Sequence, residues 1–265
     1  MGRSTSDYSV STAYGQMAEV YDRWMGGTDY AAWWRYLSEV FTISPDSRVL
    51  ETGCGTGNLT AEISSAGHQL IASDLSPAML AQAERKLRGR RNVRLLQLDM
   101  RELPDSLGRF DVIVAACDAV NYLTRPDQVL RFFTGAAALL AEDGILLFDV
   151  HGRGRIANWE VAACHNFVSP DSCYLWRAEL CGNRIEHHIT GFTKDRVGLW
   201  QRFEELHRQR YYDVGELDAL LQQAELTMIA AYEFGTAKPC RDESFRVQIC
   251  ARLGRKVDLL VDTRR

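Results

Sequence analysis

Hydrophobic positions recur along this chain with two different periods, and the change of period divides it. Between residues 45 and 150, short apolar runs alternate with segments whose apolar residues fall three or four apart. That alternation predicts βαβ units around a parallel sheet. Strands are expected near 48–52, 69–73, 93–98, 109–116 and 144–150, and helices near 58–66, 76–88 and 127–140. Right-handed crossovers then bring every strand C-terminus to one edge, outside which such sheets bind ligands.

From 164 to 212 the period becomes two, with Glu186 and His188 alternating against His187 and Ile189. Turn-like residues at Cys181-Gly182-Asn183-Arg184 and Lys194-Asp195-Arg196 separate the runs. An antiparallel meander of three or four strands follows, with one wet face and one covered face. Asp213 then caps a helix to Ala224, and 226–234 and 245–253 read as two further strands. At the other end, Ala13–Met25 reads as one helix, Gly26-Gly27 breaks it, and Asp29–Phe41 reads as a second. Residues 1–12 and 255–265 read as poorly ordered ends.

The stretch from Arg48 to Thr60 organises the rest. A strand runs into glycines at alternate positions, Gly53, Gly55 and Gly57, and a helix begins beyond them. Glycine reaches angles closed to other residues and lets a ligand lie against the backbone, while the helix start offers unpaired N–H groups. A dinucleotide fingerprint would put its third glycine one residue later, where Asn58 stands, which disfavours a nicotinamide oxidoreductase. The Lys-Ser/Thr ending of a phosphate-binding Walker loop is missing. Asp74 closes the next apolar run, at the spacing of a carboxylate that takes ribose hydroxyls.

Val49 to Gly57 resembles motif I of the class I S-adenosylmethionine-dependent methyltransferases, with Glu51 where an aspartate is more usual. Ala72 to Leu80 resembles the family's second strand and the turn after it, Leu98-Asp99-Met100 the pair beside the adenine, and Phe110 to Val114 the fourth strand. The resemblance implies a doubly wound, mostly parallel α/β sheet of seven strands, closed by an antiparallel pair. It divides the chain into an N-terminal helical lid (1–44), a Rossmann-like cofactor core (45–150), an inserted antiparallel sheet over the acceptor pocket (151–212), completion of the core sheet (213–254) and a tail (255–265). The insertion is similar to that of sugar N,N-dimethyltransferases of antibiotic pathways.

On this resemblance, S-adenosylmethionine is the cofactor, met by Glu51 at its amino-acid end, the backbone of Gly53 and Gly55, Asp74 and Leu75 at the ribose, and Asp99, Met100 and Met79 at the adenine. Ala115 and Cys117 complete the strand edge. Tyr14, Tyr21 and Tyr30 either close over the cofactor as lid residues or pack into the core, and Asp99 either meets the adenine or caps the turn at Arg101. The loop after the fourth strand lacks the prolines of DNA amino-methylating enzymes, so Asp118, Asn121 and Tyr122 are candidate acceptor-side residues, with turn capping as the other reading. His151 and His207 are the candidate bases, and either can instead be a structural histidine.

Bulk properties trim the alternatives. A net charge of −4 gives no field favouring nucleic acid or an anionic membrane. The basic run Arg85-Lys86-x-Arg88-x-Arg90-Arg91 has no interleaved aromatics and reads as a solvated helix end. Seven scattered cysteines read as thiols of a cytoplasmic protein, the histidines lack metal-ligand spacing, and no apolar run approaches the roughly 18 residues of a bilayer span. The expectation is a methyltransferase acting on an oxygen or nitrogen of a small molecule, the alternative a noncatalytic adenosine-ligand-binding protein. The acceptor and the oligomeric state are not legible.

Overall fold

The computed structural model describes residues 14–254 apart from Gln16 and Ala162, so the two polar ends read from the sequence lie outside the described residues. Among the described residues, eleven strands form two sheets. The larger contains β1 (Arg48–Thr52), β2 (Gln69–Asp74), β3 (Val93–Gln97), β4 (Phe110–Ala115), β5 (Leu140–His151), β10 (Leu226–Glu233) and β11 (Arg246–Leu253). Their order is β10-β11-β5-β4-β1-β2-β3. Only β11 runs against the other six, pairing antiparallel with both β5 and β10. The smaller sheet is a four-stranded meander of β6 (Cys164–Val168), β7 (Ser172–Cys181), β8 (Arg184–Lys194) and β9 (Trp200–Arg210).

The central strands are apolar on both sides because helices cover both. Val49, Val112, Val114 and Leu147 face the layer containing α2 (Tyr30–Val40) and α3 (Asn58–Ser65), where Trp33, Trp34, Leu37 and Ile63 are buried. Leu50, Ile113, Leu146 and Phe148 face α5 (Pro126–Leu139) and α7 (Val214–Gln223), packed through Phe132, Phe133, Leu217 and Leu221. Helix starts follow local chemistry. Asp29, Ser76 and Asp213 accept from the backbone N–H three residues on, opening α2, α4 (Pro77–Lys86) and α7.

Two readings need correction. The helix expected over Ala13–Met25 is broken: within the described part, Tyr14 and Gly15 form a turn, Met17–Glu19 is one 3-10 turn, and α1 spans only Tyr21–Trp24. The Tyr14 and Met17 amides donate instead to the Glu205 carboxylate, a partner about 190 positions away, and Tyr14 takes φ 64°. A distant acceptor outcompetes the helical one. The second correction is α6 (Arg153–Val161), unmarked in the sequence because Trp159 is its one buried residue and no apolar stripe results.

That helix joins the two sheets. The Gly152 N–H donates to Phe245 O (2.9 Å) and the Gly154 N–H to Ser244 O (3.1 Å), while Trp159 packs on Ala178 and Ile185 of the meander. A Cβ at Gly152 would lie 2.0 Å from Ser244 O, so only glycine allows this backbone approach. Gly152→Ala is expected to destabilise the fold by ~1–3 kcal/mol through overpacking, read as a lowered melting temperature; an unchanged melt would show that the 240s loop yields freely.

Candidate active site

The C-terminal ends of β1, β2, β4 and β5 meet the covered face of the meander, and the site is built where they meet. At the end of β1 the three glycines take φ of 71°, 55° and 78°, a left-handed conformation that other residues enter at a cost. A Cβ at Gly53 would stand 3.0 Å from Ala119 Cβ and 3.5 Å from Met100 Cε, whereas one at Gly55 would meet nothing within 4 Å. One glycine allows close packing and the next opens on a crevice. Asp74 supports that loop: Oδ2 accepts from Gly55 N–H and Oδ1 from Ser76 N–H, both at 2.8 Å. Burial raises the Asp74 carboxyl, and these amides oppose the rise. Beside it Leu75 is 54% exposed, an apolar face without a protein partner at the crevice.

Glu51 is fully covered and accepts from Thr60 Oγ1 at 2.7 Å. Burial pushes its carboxyl up to about 8, with Asp74 adding to the rise and Thr60 resisting it. Asp99 caps the turn at Met100–Glu102 by accepting from Arg101 N–H, and the Arg101 guanidinium grips it further, holding it below the usual carboxylate value. Met79 and Ala115 are buried beneath the crevice floor.

The N-terminal segment is fastened over this loop. Asp22 accepts from Thr56 Oγ1 (2.5 Å) and Asn58 Nδ2 (2.9 Å), and Lys86 Nζ lies 2.7 Å from its other oxygen. Trp24 packs on Tyr174 and Phe203 of the meander at centroid distances of 4.5 and 5.8 Å. Tyr14, Tyr21 and Tyr30 consequently gather near Cys117 and Asp118; burial raises all three phenols, and Cys117 is close enough to act on Tyr21 and Tyr30.

After β4, Cys117 and Asp118 both have positive φ (57° and 51°), two strained residues in succession. A pair of buried ionic bonds holds them. The Asp118 N–H donates to Asp149 Oδ2 at 2.9 Å, and Arg246 joins Asp118 (2.8 Å) to Asp149. Burial works against ionisation of Asp118, but its neighbours outweigh it, including Arg246 and the Gln209 amide, and keep the carboxyl low. Asn121 is committed to the scaffold, donating to Arg210 O (2.7 Å) and accepting from His151 N–H (3.1 Å).

Polar residues line the covered face of the meander, among them His187 on β8 and Glu205, His207 and Gln209 on β9. Gln209 Nε2 donates to Asp118 (2.7 Å), so its Oε1 is the acceptor for His151 Nε2 (2.8 Å) and His187 Nε2 (2.9 Å). Both histidines therefore donate from Nε2, and Trp176 Nε1–H donates to His187 Nδ1 (3.0 Å), which makes that ring neutral. Burial lowers His151 and brings His187 down to about 4. His207 donates from the same ring nitrogen, to a different partner. Its Nε2–H donates to Glu205 Oε2 (2.8 Å), so Nδ1 is an acceptor and takes the Tyr122 hydroxyl at 2.9 Å. Tyr122 in turn accepts from the Tyr14 hydroxyl, and the Tyr14 ring stands edge-on to His207 at 4.5 Å.

Of the residues singled out from sequence, the glycines, Asp74, Leu75, the three tyrosines, Cys117, Asp118, Tyr122 and His207 are brought together. His151 joins them through Gln209, with its Nε2 also 3.7 Å from Asp118 Oδ2. Sequence reading missed Asp149, Glu205, Gln209 and Arg246. The signal for Glu205 and Gln209 was their spacing of two around His207, but Glu204, Arg208 and Arg210 on the opposite face are as polar, so nothing marked which face was covered. Among the described residues there is no cluster of His, Cys, Asp and Glu fit for a metal ion, and no helix long and apolar enough to cross a membrane.

A family model described as a methyltransferase domain matches residues 49–144. The Bacillus subtilis (strain 168) protein YqeM, named as a methyltransferase, is 32% identical over 79% of this chain and 84% of its own length. A crystal structure of an S-adenosylmethionine-dependent methyltransferase from Clostridium acetobutylicum ATCC 824 superposes with TM-score 0.79 at 25% identity, covering 91% of this chain and 99% of that one. The sugar N-methyltransferase KedS8 from Streptoalloteichus sp ATCC 53650 shares the fold at TM-score 0.75 and 23% identity, over 96% of this chain and 98% of its own.

Glu51 yields a prediction about stability. Its carboxyl is held near 8 in the fold against an ordinary 4.5, so between those values the unfolded chain has released a proton that the native state keeps. Stability is therefore expected to fall as pH rises through that window. Glu51→Gln should flatten this slope in denaturant titrations at the two ends of the window; an unaltered slope would mean that Glu51 is ionised in the fold.

Proposed function

We propose that this chain, which belongs to the S-adenosylmethionine-dependent methyltransferase family, methylates a nitrogen or oxygen of a small molecule held between the β4 loop and the covered face of the meander. The observation that carries this reading is the buried line Tyr14–Tyr122–His207–Glu205, which leads away from the crevice beside the glycine loop. A proton acceptor in that place is what an amine or hydroxyl acceptor needs when it is alkylated.

The residues at the crevice suit the cofactor. Each Asp74 oxygen keeps a lone pair beyond its bond to backbone and can take one ribose hydroxyl. The exposed face of Leu75 can carry the adenine, with Met100 and Met79 behind it and Asp99 at its rim. Gly53 and Gly55 leave room along the main chain, and Ala115 and Cys117 close the strand edge. Glu51 lies toward the amino-acid end, where a cofactor ammonium would draw its carboxyl into the ionised form. Tyr14, Tyr21 and Tyr30 cover the site and exclude water.

The cofactor supplies a sulfonium methyl that is electrophilic without further activation. The protein has to align the acceptor and receive its proton. Asp118, at the strained β4 loop, is the hydrogen-bond acceptor that can orient it, with Asn121 holding the loop and the Tyr122 hydroxyl facing it. With the cofactor bound, it would give up its methyl and leave as a neutral thioether, and the proton lost by the acceptor would pass to Tyr122 oxygen. Tyr122 releases its own proton to His207 Nδ1. His151, donating to Gln209, positions the amide that holds Asp118. The names of KedS8, a sugar N-methyltransferase, and CalS10, an amino pentose methyltransferase, favour an amino sugar as the first acceptor class to test.

Asp74→Ala is expected to weaken S-adenosylhomocysteine binding by ~10- to 100-fold in calorimetry, the loss of charge-assisted hydrogen bonds. Unchanged affinity would remove Asp74 from the cofactor site. His207→Ala should lower turnover of a methylated acceptor about 100-fold or more while that affinity is kept, and full turnover would dismiss His207 as the base.

A further inference from the structure

Glu205 is the carboxylate on which two parts of the site converge. It lies on β9 and is 7% exposed. Its Oε2 accepts from His207 Nε2–H at 2.8 Å and from Tyr14 N–H at 2.9 Å, and Oε1 accepts from Met17 N–H at 2.8 Å. Two of these donors are backbone groups of the segment that covers the crevice, and the third is the imidazole whose other nitrogen faces Tyr122. All three are taken out of water. A buried N–H left without its acceptor costs roughly 1–3 kcal/mol. The same segment brings the Tyr14 hydroxyl to Tyr122.

We propose that Glu205 is a positioning residue that couples seating of the N-terminal segment to the tautomer of His207, so that the proton acceptor is assembled only when the crevice is covered. The proposal rests on the reading of His207 as the group that receives the acceptor's proton.

An ionised carboxylate is the side chain that meets these demands, since it accepts at both oxygens and donates at neither. Burial opposes its ionisation, yet His207 and the Tyr14 and Met17 amides hold Glu205 below the ordinary glutamate value. The other titratable groups facing this pair are Tyr14 and Tyr21 from the N-terminal segment, Asp118 and Tyr122 from the β4 loop, and His187 from β8. Among these only Glu205 is bonded at once to the segment's backbone and to the imidazole. A glutamine would turn an amide NH2 either toward Met17 N–H or toward His207 Nε2–H. The first loosens the segment. The second forces the proton to Nδ1, where it blocks acceptance from Tyr122.

The test uses the full chain as Glu205→Gln and Glu205→Asp, with S-adenosylhomocysteine bound. Nitrogen-15 spectra of labelled histidine read the tautomer, and amide hydrogen exchange of the peptide covering 14–24 reads the segment. For Glu205→Gln we expect faster exchange of that peptide or loss of the His207 Nε2–H signature, with kcat down about 10-fold or more and KM for the acceptor little changed. Glu205→Asp keeps the charge but is one methylene shorter. It should retain the Nε2–H tautomer, exchange faster at the segment, and recover part of kcat. Wild-type exchange together with the wild-type tautomer in Glu205→Gln overturns the proposal, as does an equal loss of kcat in both variants with the tautomer preserved. The double variant Glu205→Gln/His207→Ala should be no slower than His207→Ala alone, and additive losses would also overturn the coupling. Failure of the base reading is separately visible, as full turnover in His207→Ala.

Discussion

A polar surface is enclosed between the two sheets, and each donor on it must meet an acceptor. His187, Glu205, His207 and Gln209 sit on the covered face of the meander, opposite Asp118, Tyr122, Asp149 and His151 at the ends of the parallel strands. Leaving one of these groups unpaired would cost on the order of 1–3 kcal/mol, comparable with a fair part of a domain's net stability. The solution is directional. Gln209 gives its N–H to Asp118 and its oxygen to two histidines, which makes both of them donors at Nε2. Glu205 takes the Nε2–H of His207, whose Nδ1 then meets the Tyr122 hydroxyl. Of the three, His207 is the one whose Nδ1 meets the Tyr122 hydroxyl, while that of His187 takes Trp176 Nε1–H.

The arrangement also accounts for the strain after β4. Two consecutive non-glycine residues with positive φ are unfavourable, and Arg246 stabilises them by bridging Asp118 and Asp149. Arg246 opens the one strand that runs against the sheet, which is how its guanidinium comes to the C-terminal edge of the parallel strands. Closing the sheet with an antiparallel strand therefore contributes to the site as well as to the core. The glycine loop is fastened in a similar manner from the N-terminal side, where Asp22 ties it to α1 and α4 through Thr56, Asn58 and Lys86.

Much of this was legible before any coordinates. The alternate glycines, Asp74, the five parallel strands, the meander and the cap at Asp213 depend on interactions within a few residues, so they appear as periods and spacings. The helix read over Ala13–Met25 failed for a reason outside its own span, since Glu205 takes the amides that a helix would have used. Helix α6 escaped notice because its sides are nearly alike in polarity and it is held by backbone contacts at Gly152 and Gly154.

The amino-acid sequence by itself determined the strand–glycine–helix unit, the acid at the end of β2 and the order of the elements, because each follows from local backbone angles and from the period of burial. It also placed histidines, carboxylates and tyrosines on neighbouring strand ends and loops. Which of them would meet was decided only by the tertiary structure. Two residues as alike as His151 and His207 came to donate to different partners, Gln209 and Glu205, because long-range chain closure carried those partners to them. A tautomer is a property of the whole hydrogen-bonded circuit, and no window along the chain contains that circuit.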